Sequence, residues 1–202
     1  MSYLVLAVAL FLIALFKYVS RNPNRQTPKI DAIFAPADGK VITAQRYNKK
    51  QIILHKGNKP LKGSIHTLTE GIGDTVFVVS IFMHVFNVHY NRIPYKGTVT
   101  LIKHSNGTYI PANSLKASFQ NEKTEIIITD SKLNLKVIQV AGFLARRIET
   151  FVRKGDVVQG GQLLGRINFG SQVTLILPPS VKLCVKSGDK VKAGESIIAL
   201  PH

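Results

Sequence analysis

Val152-Arg153-Lys154-Gly155-Asp156-Val157-Val158 and Val185-Lys186-Ser187-Gly188-Asp189-Lys190-Val191 are two copies of one pattern. Each copy runs on to a second glycine, Gly161 or Gly194, and then to an aliphatic pair, Leu163-Leu164 or Ile197-Ile198. Glycine supplies the positive φ of a tight turn and aspartate bonds its own backbone, so each copy reads as strand, Gly-Asp turn, strand, glycine turn, strand. Two such units facing each other predict a flattened, barrel-like β-sandwich built on repeated Gly-Asp hairpins.

Working outward, the chain stays β-like from Phe34 onward. Runs rich in Val, Ile, Thr and Phe stand at Lys40–Thr43, Gln51–Leu54, Thr75–Phe82, Gly97–Ile102, Glu125–Thr129, Leu133–Val140, Gln172–Leu177 and Ser196–Leu200. Asp38-Gly39 and Asn106-Gly107 punctuate them as turns. No amphipathic helix of three turns is expected in the body, and Ser114–Phe119 has room for one or two turns. The fold class is therefore mainly β, in residues 34–202, behind a basic linker over 20–33 that carries two prolines.

The first residues differ from all the rest. Residues 3–16, YLVLAVALFLIALF, are apolar on every face, and Lys17, Arg21, Arg25 and Lys29 follow before the first acid, Asp31. No positive residue precedes the run and no small-residue cleavage site follows it, so a secretory signal is not expected. Residues 1–19 are expected to form a membrane helix, with the body held on the cytoplasmic side of the cell membrane by the basic flank. The chain reads as a β domain on a membrane leash. Composition agrees: 27 Lys and Arg against 11 Asp and Glu give a net charge of +16, which seeks an anionic partner. With no Trp and 8% aromatics there is little stacking surface for nucleic acid, so acidic lipid is the better partner. One cysteine excludes an intrachain disulfide and a cysteine-rich zinc site.

Several further segments carry chemistry-bearing residues. Between the two copies lies Arg166-Ile167-Asn168-Phe169-Gly170-Ser171-Gln172-Val173, and upstream lies Phe34-Ala35-Pro36-Ala37-Asp38-Gly39-Lys40-Val41. In the middle are Met83-His84-Val85-Phe86-Asn87-Val88-His89-Tyr90-Asn91-Arg92-Ile93-Pro94 and Ala141-Gly142-Phe143-Leu144-Ala145-Arg146-Arg147-Ile148. In this order and spacing, from Arg21-Asn22-Pro23 to Pro178, the chain resembles the short-chain branch of the phosphatidylserine decarboxylase proenzymes, which includes the archaetidylserine decarboxylases.

The resemblance implies a pyruvoyl-dependent lipid decarboxylase that cuts itself between Gly170 and Ser171, into fragments 1–170 and 171–202. Decarboxylating an amino acid leaves an electron pair on carbon that needs a sink. The implied sink is a covalent pyruvoyl group derived from Ser171, which would hold the substrate amine as a Schiff base. To make it, the Ser171 hydroxyl attacks the Gly170 carbonyl. The resulting ester eliminates to dehydroalanine, which hydrolyses to pyruvoyl and ammonia. The resemblance puts His89 and Asp38 in the proton work. In the longer branch of the family a second histidine follows the first at i+3. Here that position is Arg92, so the division of labour in that branch does not carry over. Arg146 and Arg147, with Arg92, are the candidate cations for the phosphodiester and carboxylate of the substrate. If Arg146 and Arg147 sit on a strand they point to opposite faces, and only one faces the site.

The implied partners are a phospholipid substrate, the membrane, and the chain's own two fragments held as a heterodimer that could assemble further; no nucleic acid and no metal are expected. The reaction expected is phosphatidylserine to phosphatidylethanolamine, with archaetidylserine as the alternative substrate. A β-sandwich metallopeptidase needs a His-x-His pair, and His84 and His89 do not supply one. A lipoyl- or biotinyl-type carrier needs a lysine between bulky residues at a hairpin tip, which neither copy has. A non-enzymatic membrane adaptor would not be cleaved.

Overall fold

The computed structural model describes residues 2–48, 54–56, 59–61, 69–143, 147–168 and 170–202. Helix α1 (Ser2–Val19) opens the chain. Strands β1 (Ile33–Phe34), β2 (Gly39–Asn48), β3 (Leu54–Lys56), β4 (Lys59–Leu61), β5 (Thr75–Met83), β6 (Tyr90–Arg92) and β7 (Gly97–Ser105) follow. A one-turn helix, α2 (Ala117–Gln120), precedes β8 (Lys123–Thr129), β9 (Asn134–Val140), β10 (Ile148–Thr150), β11 (Val157–Val158), β12 (Leu163–Ile167) and β13 (Ser171–Leu177). The chain ends with β14 (Val181–Leu183), β15 (Lys190–Val191) and β16 (Ile197–Pro201). The fold is mainly β, as expected; most of the expected strand at Gln51–Leu54 lies outside the described residues.

Eight strands form one antiparallel sheet in the order β11-β7-β8-β9-β13-β5-β2-β15. Two small sheets, β10-β12-β6 and β1-β16-β14, complete the body, with a β3-β4 hairpin beside them. Strand β13 lies near the middle and is buried along its whole length. Side chains alternate across a strand. Val173, Leu175 and Leu177 therefore join Val79, Ile81, Leu135 and Val137 in the main core. Ile176 turns the other way, to Val76, Val78, Ile138 and Ala117 of α2.

The two sequence copies do not stack as a separate sandwich. They sit at opposite edges of the large sheet, β11 on β7 and β15 on β2. Their turns are built alike: Arg153 N–H donates to Asp156 Oδ2 at 2.8 Å and Lys186 N–H to Asp189 Oδ2 at 2.9 Å. Gly155 and Gly188 have φ of +97° and +102°, the left-handed region that favours glycine. The second glycines of the two copies then meet, because the Cα of Gly161 lies 3.5 Å from where a Cβ on Gly194 would be. The opposite edges of one sheet are thereby drawn together, and the sheet curls into a half-barrel.

The 20–33 segment is not a free tether. Thr27 is wedged against Gly161, with its Oγ1 2.0 Å from where a Cβ would be placed there. Arg92 donates to Gly161 O at 2.8 Å and to Asn22 Oδ1 and Pro23 O at 3.1 Å each. The leash is stitched to the body it was expected only to tether, because carbonyls and a buried acid in the body and linker give its arginines partners. Helix α1 is exposed along nearly its full length, from Tyr3 to Tyr18, and Val19 alone among its described residues is buried. No helix among the described residues is long and apolar enough to cross a membrane.

Candidate active site

Ser171 begins β13 and pairs with Met83 at the end of β5. It is fully buried, and its Oγ has no hydrogen-bond partner among the described residues. A buried hydroxyl without a partner forfeits hydrogen-bond energy, so such a group marks a site kept for another purpose. Gly170 before it has a φ of +65°, which the absence of a Cβ makes accessible. The Gly170 carbonyl lies against Gly142: a Cβ there would fall 1.7 Å from the Gly170 oxygen.

Gly142 is held in place from behind. Ala141 N–H donates to Glu122 O at 3.0 Å, and Asn121 Nδ2 donates to Ala141 O at 2.7 Å. Gln172, next after Ser171, faces away from the main core. With its amide oriented to suit its neighbours, it donates to Ala112 O and Ser114 O and accepts from Ser118 Oγ. Gly142 and Gln172, which border the Gly170–Ser171 peptide, are thus both pinned by short backbone and amide bonds.

His89 lies in the loop between β5 and β6. Its carbonyl accepts from Ile167 N–H at 3.2 Å, which ties it to the strand leading into Gly170. At the other end of the loop, Asn91 Nδ2 reaches Met83 Sδ at 3.5 Å, and Gln139 Nε2 donates to Asn91 Oδ1 at 2.8 Å. The loop therefore closes on the same corner as Ser171. The His89 ring is buried, and burial holds its proton affinity below the ordinary histidine value. The Val19 carbonyl, hydrogen-bonded to the ring, opposes this, the Arg21 charge adds to it, and the Asp38 charge opposes it.

Asp38 reaches this corner by charge, since both its oxygens are engaged elsewhere. Arg25 Nη2 bridges them at 2.9 and 2.7 Å, and Ala193 N–H donates to Oδ1 at 2.8 Å. Lys40 and Gln172 both pair with Phe82 from opposite sides. The β2 and β13 backbones are therefore about two strand spacings, roughly 9–10 Å, apart.

The candidate cations divide. Arg92 is occupied by the linker and Gly161, as described above. Arg147 is exposed just before β10, and Arg146 lies outside the described residues. Two arginines not singled out from the sequence stand nearer. Arg21 donates to Phe86 O at 3.1 Å in the His89 loop. Arg166, across from Tyr90 in register, pairs with Glu149 at 2.9 Å and lies 5.7 Å from the Tyr90 ring. Their signal was present: Arg166 begins the stretch quoted around Ser171, and Arg21 opens the Arg-Asn-Pro motif. His84 is exposed and packs on Phe86, with ring centroids 5.6 Å apart.

A bare, buried serine after a left-handed glycine, with an imidazole closing on the same corner, suits backbone self-cleavage followed by proton transfer. Comparison with known proteins identifies the family. Residues 12–199 match the sequence profile of the phosphatidylserine decarboxylase family. The chain is 42% identical over 178 residues to the phosphatidylserine decarboxylase proenzyme of Syntrophus aciditrophicus, covering 87% of this chain and 75% of that protein. It is 40% identical over 195 residues to the Chlorobium limicola proenzyme of the same name, covering 96% and 82%. For the Pelobacter propionicus proenzyme the figures are 39% over 194 residues, 94% and 79%. The chain belongs to the phosphatidylserine decarboxylase family.

Proposed function

We propose that this protein decarboxylates phosphatidylserine to phosphatidylethanolamine after cutting itself between Gly170 and Ser171. The observation that carries the proposal is the Ser171 hydroxyl, buried and without a hydrogen-bond partner among the described residues, at the start of a fixed strand. The residues present fit a pyruvoyl group made from Ser171. The corner is closed, the preceding glycine has the left-handed φ, and Gly142 leaves room for the carbonyl that is attacked. When formed, that group supplies the electron sink for loss of carbon dioxide.

This chain's residues do the rest. The curled sheet fixes Ser171 beside the Gly170 carbonyl, so attack needs no large reorganisation. His89 takes or returns the proton; burial keeps its ring mainly neutral at neutral pH, and an anionic headgroup entering beside it would favour the protonated form. Arg21 and Arg166 flank the His89 loop as cations suited to a phosphodiester or carboxylate. After the cut, the 171–202 fragment keeps β13 between β9 and β5, β15 on β2 and β16 on β1. Those ladders hold the two fragments as one heterodimer.

Helix α1 associates with a bilayer, and the body lies on its cytoplasmic side. What supports this is an apolar surface exposed all round and Lys17 and Arg21 at its exit. Arg25 is excluded from that role, since its side chain is only 8% exposed and paired with Asp38. The test is carbon dioxide release from phosphatidylserine in mixed vesicles by purified, matured protein. Matched release expected from phosphatidylserine, and none from a lipid lacking the serine carboxylate, supports the reading; no release from either refutes it.

A further inference from the structure

The last turn of α1 ends on the active-site loop. Ser20 N–H closes that turn on Phe16 O at 2.9 Å. The carbonyls beyond it have no partner inside the helix. Two of them are taken by groups outside it: Arg21 Nη1 donates to Tyr18 O at 2.6 Å, and the His89 ring donates to Val19 O. Val19 is 5% exposed, whereas Phe16 is 67% and Tyr18 52% exposed, so the helix is seated on the body only at this end. The Arg21 guanidinium lies 3.9 Å from the Tyr18 ring and also holds Phe86 O. Next come Asn22 and Pro23, bound by Arg92, and Arg25, bound to Asp38. A simple tether would need none of these bonds.

A histidine ring that donates one N–H to a fixed carbonyl is locked in one tautomer and one orientation, and its other nitrogen is left to carry the exchangeable lone pair. We propose that the Val19–Arg25 segment is a positioning element of the active site, in which the Val19 carbonyl sets the ring of His89 for proton transfer. The inference rests on the decarboxylase reading above and extends it: the helix that seeks lipid and the residue that moves the proton are one mechanical unit. The charged groups acting on the ring are Arg21, from the segment itself, and Asp38, from the turn before β2.

Two measurements on the full chain test this. Inserting Gly-Gly between Ser20 and Arg21 keeps α1, its charges and its lipid affinity, but uncouples Val19 from His89. Vesicle binding should be unchanged, while kcat on detergent-dispersed substrate falls on the order of 10²-fold, with KM little altered. The pH profile of the remaining activity should move to lower pH, because the carbonyl that favours the protonated ring is gone. Wild-type kcat and pH profile in the insertion variant would overturn the proposal. The second measurement needs no activity and no altered fold. In the unmodified protein, 15N-histidine spectra should show His89 as one tautomer with a solvent-protected ring N–H. A rapidly exchanging tautomer mixture at His89 would overturn the positioning role even if the protein proves to be a decarboxylase, whereas a locked ring in a protein that releases no carbon dioxide would overturn the decarboxylase reading instead.

Discussion

Gly142→Ala should stall maturation while leaving the fold in place. A Cβ at position 142 would stand 1.7 Å from the Gly170 carbonyl oxygen and 2.8 Å from its carbon, and both are backbone atoms that cannot swing aside. Real Cβ contacts stay beyond 3.0 Å, so the Gly170 carbonyl must retreat by roughly 1 Å or more, a displacement that can cost on the order of 10²-fold in rate at a reacting centre. Gly142 cannot easily yield instead, because Ala141 is tied to Glu122 and Asn121 on β8's approach. Gly170→Ala is the control. A Cβ there meets nothing within 4 Å, and only the left-handed φ is strained. That costs about 1–2 kcal/mol, or roughly a tenfold slowing if all of it falls on the barrier. The assay is a time course of precursor against fragments on denaturing gels, with thermal melts to verify the fold. Processing of Gly142→Ala within a few-fold of wild type, in a protein with an unaltered melt, would refute the geometry of the cleavage corner.

Other outcomes follow from the same contacts. His89→Ala, isolated after cleavage, should release carbon dioxide about 10²-fold or more slowly; near-normal release would remove His89 from the chemistry. Arg25→Gln leaves Asp38 buried and without its cation, a loss of roughly 3 kcal/mol, read as a fall in melting temperature of about 6–12 °C; an unchanged melt would show the pair to be idle. Acid should weaken the fold in two stages. Burial lowers the His89 affinity for a proton, so the unfolded chain binds more protons, and stability falls as pH drops below the ordinary histidine value near 6.5. Asp31, held down to about 2 by Lys132, Tyr95 and Lys96, gives stability that is complete above 3.8 and is lost as pH falls toward 2. Its contribution is about 1 kcal/mol or less, because the carboxylate is partly exposed. Urea melts from pH 7 to pH 2 read both stages, and Asp31→Asn should abolish only the lower one.

The sequence made the turns and the cleavage corner legible because each depends on adjacent residues. Gly155-Asp156 and Gly188-Asp189 close on their own backbones, and Ser171 starts a strand whose apolar alternation is plain. Where the two copies sit could not be read, since edge pairing of β11 with β7 and β15 with β2 is decided by tertiary register. The same holds for a relation visible only in backbone: Arg92 N–H donates to Pro36 O and Phe34 N–H to Pro94 O, both at 2.8 Å, so the segments before β2 and β7 cross as a matched pair. Their side chains, Ala-Asp-Gly-Lys and Tyr-Lys-Gly-Thr, hide it. Asp38 was legible as a site candidate but not as the partner of Arg25, because that pairing depends on how the linker folds back. Gly142 stood out only as a member of the Ala141–Ile148 segment, with nothing to mark its own part. Its role is the room it leaves for a carbonyl that the chain reaches much later.

The central claim is that this chain matures by cutting itself at Gly170–Ser171, and intact mass tests it most directly. Wild-type protein should give two masses, one for residues 1–170 and one for residues 171–202 lighter by one ammonia than the unmodified peptide, from fragments that co-purify until denatured. Ser171→Ala should give one full-length mass and no carbon dioxide release. A single full-length mass for wild-type protein that decarboxylates phosphatidylserine, or two masses from Ser171→Ala, would contradict the account.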